Sequence, residues 1–392
     1  MTVYLDNQAT TRVDPRVIET IVTCMAIDYG NAGSTSHALG WEAKARVDQS
    51  RETLAAAVGG DPSEIVFTSG ATEANNLAIR GTLTHPRLRR QEERPHVIAA
   101  ATEHKATLDP LRRLAREGCE VTTLVPAHAD GRLEVSQLEA AIQNNTVLFC
   151  LMWANNEIGT LQSMESLGAC CRQHGVLFFS DATQALGRVP IDLPRVHVDL
   201  ASFSAHKLYG PKGVGALYVR RGTPRVRIAP LMDGGGQEFG LRSGTLNVPG
   251  IAGFAKAVEL SLLEQETEVG RLANLRNQLF SRLQAGLPDV RLNGPTLDPP
   301  ERRLAGNLNL HFPGTDGEAL MLKMPEIAVS SGSACTSADP EPSHVLQAIG
   351  LTADEARCCL RISLGRFNTE ADVELAARRI VDSVHELRRL GS

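Results

Sequence analysis

The chain has 392 residues, 42% of them hydrophobic, with a net charge of -5, enough to bury a large core in two domains or in one large domain with an appendage. The near-neutral balance gives no global field for a polyanion or an anionic surface, so direct nucleic-acid binding is not expected. No apolar run is long enough to span a bilayer and no basic flank leads into an apolar N-terminal stretch. The eight cysteines include two adjacent pairs, and together these features suit a reduced, cytoplasmic protein with no membrane association.

From about Pro15 to about Ile251 the chain alternates helix-period segments with short apolar β-rich runs, which predicts an α/β fold with a mainly parallel sheet flanked by helices. The segment EAKARVDQSRETLAAAVGG reads as a helix ending in a glycine pair suited to a C-cap. The predicted strands follow in order: EIVFTS, HVIAAA, CEVTTLV, TVLFCLMW, VLFFSD, DLASFS and GVGALYV. Past GGGQEFGLRSGT, the long helical periodicity of AKAVELSLLEQETEVGRLANLRNQLFSRL gives way to a Pro-rich stretch, two apolar runs and a closing helix. Thr369, Glu370 and Asp372 supply the N-cap and first-turn acids of that helix. The expected division is a large domain over 15–255 and a smaller α/β domain built from 1–14 plus 256–392. No internal repeat or low-complexity segment interrupts it.

In open α/β sheets ligands bind outside the carboxyl ends of the strands, so the residues that follow each predicted strand are the candidates for chemistry. The first strand runs into TSGATEANN, where Gly70, Ala71 and Thr72 can offer backbone N–H groups and a hydroxyl to a phosphate. A Gly-rich turn of this kind is equally often a plain tight connection. His104 follows the next strand, Asn156 the fourth, and Asp181 with Gln184 the fifth. Ser204, His206 and Lys207 arrive together after the sixth, in SFSAHKLYGPKGVG. A lone His or Lys at such a place is usually structural or solvated, but five polar clusters at successive strand ends form a set. No GxGxxG opens a strand-helix unit, no P-loop is present and metal-ligand spacing is absent, so no metal is expected. Pyridoxal 5'-phosphate fits, because it needs a lysine for a Schiff base, an acid for its pyridine nitrogen and donors for its phosphate.

These blocks, together with YLDNQATTRVDP, TEHK, NNEIG, GGGQE, RSGT, SSGSACTSADPEPSHVL and RISLGR, resemble the cysteine desulfurases of the NifS/IscS type within the class V aminotransferase family. The similarity covers nearly the whole chain and implies the aspartate aminotransferase-like fold of pyridoxal-phosphate transferases. It further implies a Schiff base on Lys207, His104 stacked over the pyridine ring, Asp181 paired with the ring nitrogen and Gln184 facing the phenolic oxygen. Phosphate contacts match Thr72, Ser204 and His206, with Thr245 reaching in from the second subunit of a homodimer. Arg361, assisted by Asn156, matches the clamp on the substrate carboxylate, a bidentate task that suits a planar guanidinium.

Cys335 matches the residue that receives sulfur from L-cysteine as a persulfide, with L-alanine as the other product. Its setting, SSGSACTSADPEP, is rich in Ser, Gly and Pro, which predicts an exposed loop (about 328–343) with little for a structural thiol to pack against. Cys24, Cys150, Cys170 and Cys171 lie in apolar helix or strand contexts and read as core, while Cys358 and Cys359 stay open between redox and packing roles. His104 is the expected proton handler near the sulfur. The resemblance implies a sulfur-acceptor protein as partner, an iron-sulfur scaffold or another persulfide acceptor, since relatives also serve nitrogenase assembly, tRNA thiolation and DNA phosphorothioation. Two departures stand out: Ala32 where relatives often carry proline, and an end at HELRRLGS where housekeeping members usually extend into a tail that helps dock the scaffold. The competing readings are an aminotransferase or selenocysteine lyase of the same fold, and a non-catalytic sulfur-relay scaffold. Cys335 disfavours an aminotransferase, and intact Lys207, Asp181, His104 and Arg361 disfavour a scaffold.

Overall fold

The structure, a computed structural model, describes residues 2–85, 94–223, 225–331 and 342–391. A short strand, β1 (Val3–Tyr4), precedes helices α1 (Pro15–Ala26) and α2 (Ala38–Ala57). Asp14 caps α1 by accepting the Arg16 N–H, and Gly59, at φ 72°, turns the chain out of α2 where a side chain would be strained. All seven predicted strands are present: β2 (Ile65–Thr68), β3 (His96–Ala100), β4 (Glu120–Leu124), β5 (Thr146–Cys150), β6 (Leu177–Asp181), β7 (Leu200–Ser204) and β8 (Gly215–Val219). Between them run α3 (Ala71–Thr84), α4 (Lys105–Arg116), α5 (Val135–Ala141) and α6 (Met164–His174).

These strands form one sheet in the order β2-β8-β7-β6-β5-β3-β4. All neighbours are parallel except β8, which runs antiparallel to both β2 and β7. β8 follows β7 through a short Gly- and Pro-rich turn, and a parallel return would need a long crossover instead. Apart from the edge strand β4, which is partly exposed, the strands read as continuous apolar runs because both faces are covered. Phe67, Phe149, Phe178 and Phe203 pack on one face, and Val66, Leu148, Phe179 and Leu217 on the other.

Helix α7 (Val248–Gly286) is a single rod of 39 residues, about 58 Å long at 1.5 Å per residue. Its first half packs Val248, Ile251, Phe254 and Val258 into the core of the large sheet, while Leu275, Leu279 and Leu283 join a second core. The boundary expected near 255 therefore falls inside a helix. Beyond it come β9 (Arg291–Leu292), β10 (Asn307–His311), α8 (Gly317–Lys323), β11 (Ile327–Ala328) and β12 (Ser330–Ser331). The chain closes with α9 (His344–Ala348), α10 (Ala353–Arg357), β13 (Cys359–Ser363) and α11 (Glu370–Gly391). The antiparallel order β12-β13-β10-β9 makes a smaller sheet, and β1 pairs with β11 beside it. Val3 and Leu5 belong to this second core, which places the N-terminus with the C-terminal part of the chain. No helix among the described residues is long and apolar enough to cross a membrane.

Candidate active site at the strand ends

The turns that follow β2, β3, β5, β6 and β7 open onto one cavity of about 520 Å³, closed on its far side by Arg361 of β13 and by Gln8, Ala9 and Thr10. Ala71, Thr72, His104, Asn156, Asp181, Gln184, Ser204, His206, Lys207 and Arg361 all line it. Thr245 is exposed and is not among the lining residues. Cys335 lies outside the described residues.

Asp181 ends β6 and is held by two donors, Asn75 Nδ2 on Oδ2 (2.9 Å) and the Thr183 N–H on Oδ1 (3.0 Å). A carboxylate has about four acceptor positions, so capacity remains for another N–H. Lys207 closes the short turn after β7, and its Nζ donates to the carbonyls of Gln8 (2.6 Å) and Ala9 (2.7 Å). The turn is rigid. Tyr209 sits at φ 66°, a conformation worth roughly 1–3 kcal/mol of strain, and Thr11 Oγ1 accepts its N–H at 2.7 Å while donating to the His206 carbonyl at 2.9 Å.

His104 caps α4, with Nδ1 accepting the Ala106 N–H at 3.0 Å. That bond makes Nδ1 the unprotonated nitrogen and leaves the ring proton on Nε2. Burial pushes the imidazole below its ordinary range; nearby Asp181 opposes the shift, while Lys207 and His344 add to it. His206 is driven down to about 4, first by burial and then by Lys207, Lys212 and Arg188. Both rings are thus neutral near pH 7.

The N-terminus of α3 is open: Gly70 at the N-cap offers no side chain, and no side-chain cap covers the first turn. Gly215 lets β8 approach this turn, since a Cβ there would stand 2.6 Å from Gly70 Cα. Thr72, Ser204 and His206 surround the same corner of the cavity, so backbone N–H groups, hydroxyls and the helix end form an anion seat. Opposite it, Arg361 is buried and its Nη2 donates to Asp6 Oδ1 (2.8 Å) and Ser330 Oγ (3.1 Å). Its Nη1 donates to the Asn156 carbonyl (3.1 Å), and Nε has no partner. Thr183 Oγ1, also on the cavity wall, is buried without a partner as well.

Several of these residues carried no signal in the sequence. Gln8 and Ala9 act through carbonyls, which every residue type possesses. Asp6 gives no hint of its role until β13 lies beside it. Thr183 and Lys212 are flanked by residues singled out from the motifs and were legible only as their neighbours. All seven described cysteines have thiols raised by burial: Cys24, Cys119, Cys150, Cys170, Cys171, Cys358 and Cys359. Cys359, pushed up to about 12, is packed between Asn293 Nδ2 and the Glu355 carbonyl.

A lysine, a fixed carboxylate and an anion seat at the strand ends of a mostly parallel sheet place the chain among the aminotransferase-like enzymes. It matches the aminotransferase class-V family over residues 3–375 and belongs to that family, whose members generally depend on pyridoxal phosphate. A relative of Anaeromyxobacter sp. (strain Fw109-5), cysteine desulfurase IscS, is 49% identical over 388 residues, spanning 99% of this chain and 94% of the relative. Among solved structures, a NifS-like protein superposes with a TM-score of 0.89 at 37% identity, covering 98% of this chain and 100% of that one. SspA in complex with cysteine superposes at 0.80 with 35% identity, over 94% of this chain and 100% of its own.

Proposed function

We infer that this chain is a cysteine desulfurase, taking sulfur from L-cysteine, releasing L-alanine and holding the sulfur as a persulfide on Cys335. The observation that carries the reading is the joint placement of Lys207, Asp181 and Arg361 on one cavity, in a chain whose full-length relatives bear that activity in their names. The cavity suits pyridoxal phosphate: an uncapped helix end for the phosphate, spare acceptor capacity on Asp181 for the ring nitrogen, and Lys207 Nζ within the same space. Bound there, the cofactor supplies an aldehyde carbon for an amine and a protonated ring that takes up an electron pair from the substrate.

The protein's own groups do the rest. Lys207 Nζ, the amine that would hold the cofactor, faces the same space and would take the proton from the substrate Cα. The Gln8 and Ala9 carbonyls then give the charged ammonium a place to rest. Arg361 Nε, buried and unpartnered, and the second N–H of Nη1 are the donors left for the substrate carboxylate, with Asn156 beside them. His104 presents a neutral ring whose proton is on Nε2. In the sulfur step the Cys335 thiolate forms an S–S bond to the substrate sulfur while the C–S bond breaks. The electron pair stays on carbon, and protonation there completes L-alanine.

Elimination supports Cys335 as the acceptor thiol. A nucleophilic cysteine needs a lowered or ordinary pKa, whereas burial raises every other cysteine of the chain. A homodimer is part of the reading. Ile18, Val22 and Met25 repeat at helical spacing on α1 and are all exposed, with Tyr29 and Trp41 close by in the chain, an apolar face that a second copy would cover. Thr245, outside its own cavity, is then free to serve the partner's phosphate. The next acceptor is a protein that takes persulfide sulfur, an iron-sulfur scaffold or one of equivalent chemistry.

The test is Cys335→Ser. With labelled cysteine it should keep the spectral change that substrate causes in the bound cofactor and lose all protein-bound sulfur, because a hydroxyl cannot hold a persulfide. Sulfur delivery at the parent rate would move the carrier to another thiol, and failure of the parent protein to yield alanine would end the desulfurase reading.

A further inference from the structure

Arg188 lies in the turn after β6, behind Lys207, and its guanidinium makes an unusual set of bonds. Its Nη1 donates to Gln184 Oε1, and its Nη2 donates to the main-chain carbonyls of Lys207 (2.7 Å) and Asn7 (3.4 Å). Buried Arg276 and Arg303 bond only neutral oxygens, whereas buried Arg51 and Arg361 are paired with acids, Glu238 and Asp6. Arg188 makes no such pair among the described residues. A half-buried cation without a counter-charge carries a desolvation penalty, and here every one of its bonds ends on a group that belongs to the site or adjoins it.

The chemistry of the donor decides the orientation of the acceptor. A guanidinium has only N–H groups to offer, so the end of the Gln184 amide that meets Arg188 is its oxygen. Nε2 is thereby turned the other way, where one hydrogen goes to the Gln8 carbonyl at 2.9 Å. The second hydrogen is left for the cavity that Gln184 lines. The Gln8 carbonyl also selects the amide nitrogen, but it holds one end only; Arg188 fixes the other end and with it the direction of the second N–H.

We propose that Arg188 is a positioning residue: it locks the Gln184 amide so that an N–H, not a carbonyl oxygen, faces the phenolic oxygen of the cofactor, and it pins the main chain at Lys207. The proposal rests on the reading that this cavity holds pyridoxal phosphate. A fixed N–H donor stabilises the ionised form of that oxygen, which in turn weakens proton binding by the nitrogen joining Lys207 to the cofactor. Loss of the donor should therefore move the colour change of the bound cofactor to higher pH.

The experiment is a visible-absorbance pH titration of the holoenzyme in six forms: parent, Arg188→Met, Arg188→Lys, Gln184→Ala and the double variants Arg188→Met/Gln184→Ala and Arg188→Lys/Gln184→Ala. Glu73, Asp181, Lys207, Lys212, Arg361, His104 and His206, the charged or titratable groups on the cavity, are the same in all six. Arg188→Met should raise the transition by about one pH unit, a tenfold change in proton affinity, and Gln184→Ala should do the same. The double variants should shift no further than Gln184→Ala alone, since Arg188 acts through that amide. Additive shifts would show a remote charge effect and overturn the proposal. Arg188→Lys keeps the charge and one donor; it should shift less, and its shift should vanish when Gln184 is absent, which covers the case of Arg188→Met failing to fold. A parent protein with no visible band after loading overturns the cofactor reading itself, whereas a normal parent band with additive shifts overturns only the role of Arg188.

Discussion

Two walls enclose the cavity, and they are built on different principles. The strand-end wall, from Gly70 to Lys207, presents side chains whose types match their tasks: an acid, imidazoles, hydroxyls and a lysine. The facing wall is the N-terminal strap from Asp6 to Thr11, which works largely through its backbone and through bonds to other elements. Asn7 Nδ2 donates to the Ser363 carbonyl of β13 at 2.8 Å, and the Gln8 N–H to Ser363 Oγ at 2.9 Å. Gln8 Oε1 accepts from Asn307 Nδ2 at 2.7 Å. On its other side the strap holds Lys207 and the turn around it. The first wall supplies reactive groups, and the second ties the small sheet to the turn that carries one of them.

The largest effect should come from the strand-end wall. Lys207→Ala removes both the cofactor anchor and the base at the substrate Cα, so alanine production should fall more than ~10⁴-fold, beyond the usual range for one acid-base group. The fold should persist, because Nζ serves carbonyls of Gln8 and Ala9 that line the cavity. Residual turnover within a hundredfold of the parent would place the chemistry on another amine.

The strap is tested by Thr11→Val, which keeps the shape and removes the hydroxyl that bridges the turn on both sides of Lys207. The Tyr209 N–H would be left buried and unpaired at a residue already at positive φ. The expected loss is about 2 kcal/mol of stability, together with a roughly tenfold fall in kcat and little change in KM, since the residue positions a catalytic group without touching substrate. Denaturant unfolding and steady-state rates measure the two parts separately. A stability loss with unchanged kcat would reduce the strap to a structural tie and break the comparison between the walls.

The same contrast explains what the sequence made legible. Six of the seven strands were readable because burial on both faces makes each a compact apolar run, and the edge strand β4 because of its β-branched residues. The residues after them were readable because a parallel sheet sends its loops to one end. The reversal of β8 was foreshadowed only by the shortness of its connection to β7. The boundary inside α7 was hidden because helical periodicity continues without interruption while the buried face passes from one core to the other. Asp6 and Arg361 are far apart in the chain but 2.8 Å apart in space, and neither residue type reports the other.

The smallest effect expected, per unit of pH, tests how dry the strand-end wall is. Glu103 precedes His104, is fully buried, and its Oε1 accepts the Met152 N–H at 2.6 Å, joining the ends of β3 and β5. Burial pushes its carboxyl up to about 8, against the Met152 bond and with some help from the charge of Asp181. The folded protein therefore keeps a proton that the unfolded chain loses near 4.5. Stability from this group is fully present below that lower value and is lost as pH rises toward 8, by about 1.4 kcal/mol per pH unit. His206 has the opposite sign: its lowered value favours the folded state above about 6.5 and weakens it as pH falls toward 4. Between pH 6.5 and 8 the two effects do not overlap. Glu103→Gln retains the acceptor for Met152 and cannot ionise, so its unfolding free energy should gain on that of the parent by about 2 kcal/mol across this window. Parallel curves would mean that Glu103 is already ionised in the folded protein. The floor beneath His104 would then be wetter than its burial implies, and the neutral imidazole that the strand-end wall presents to the cavity would lose its physical basis.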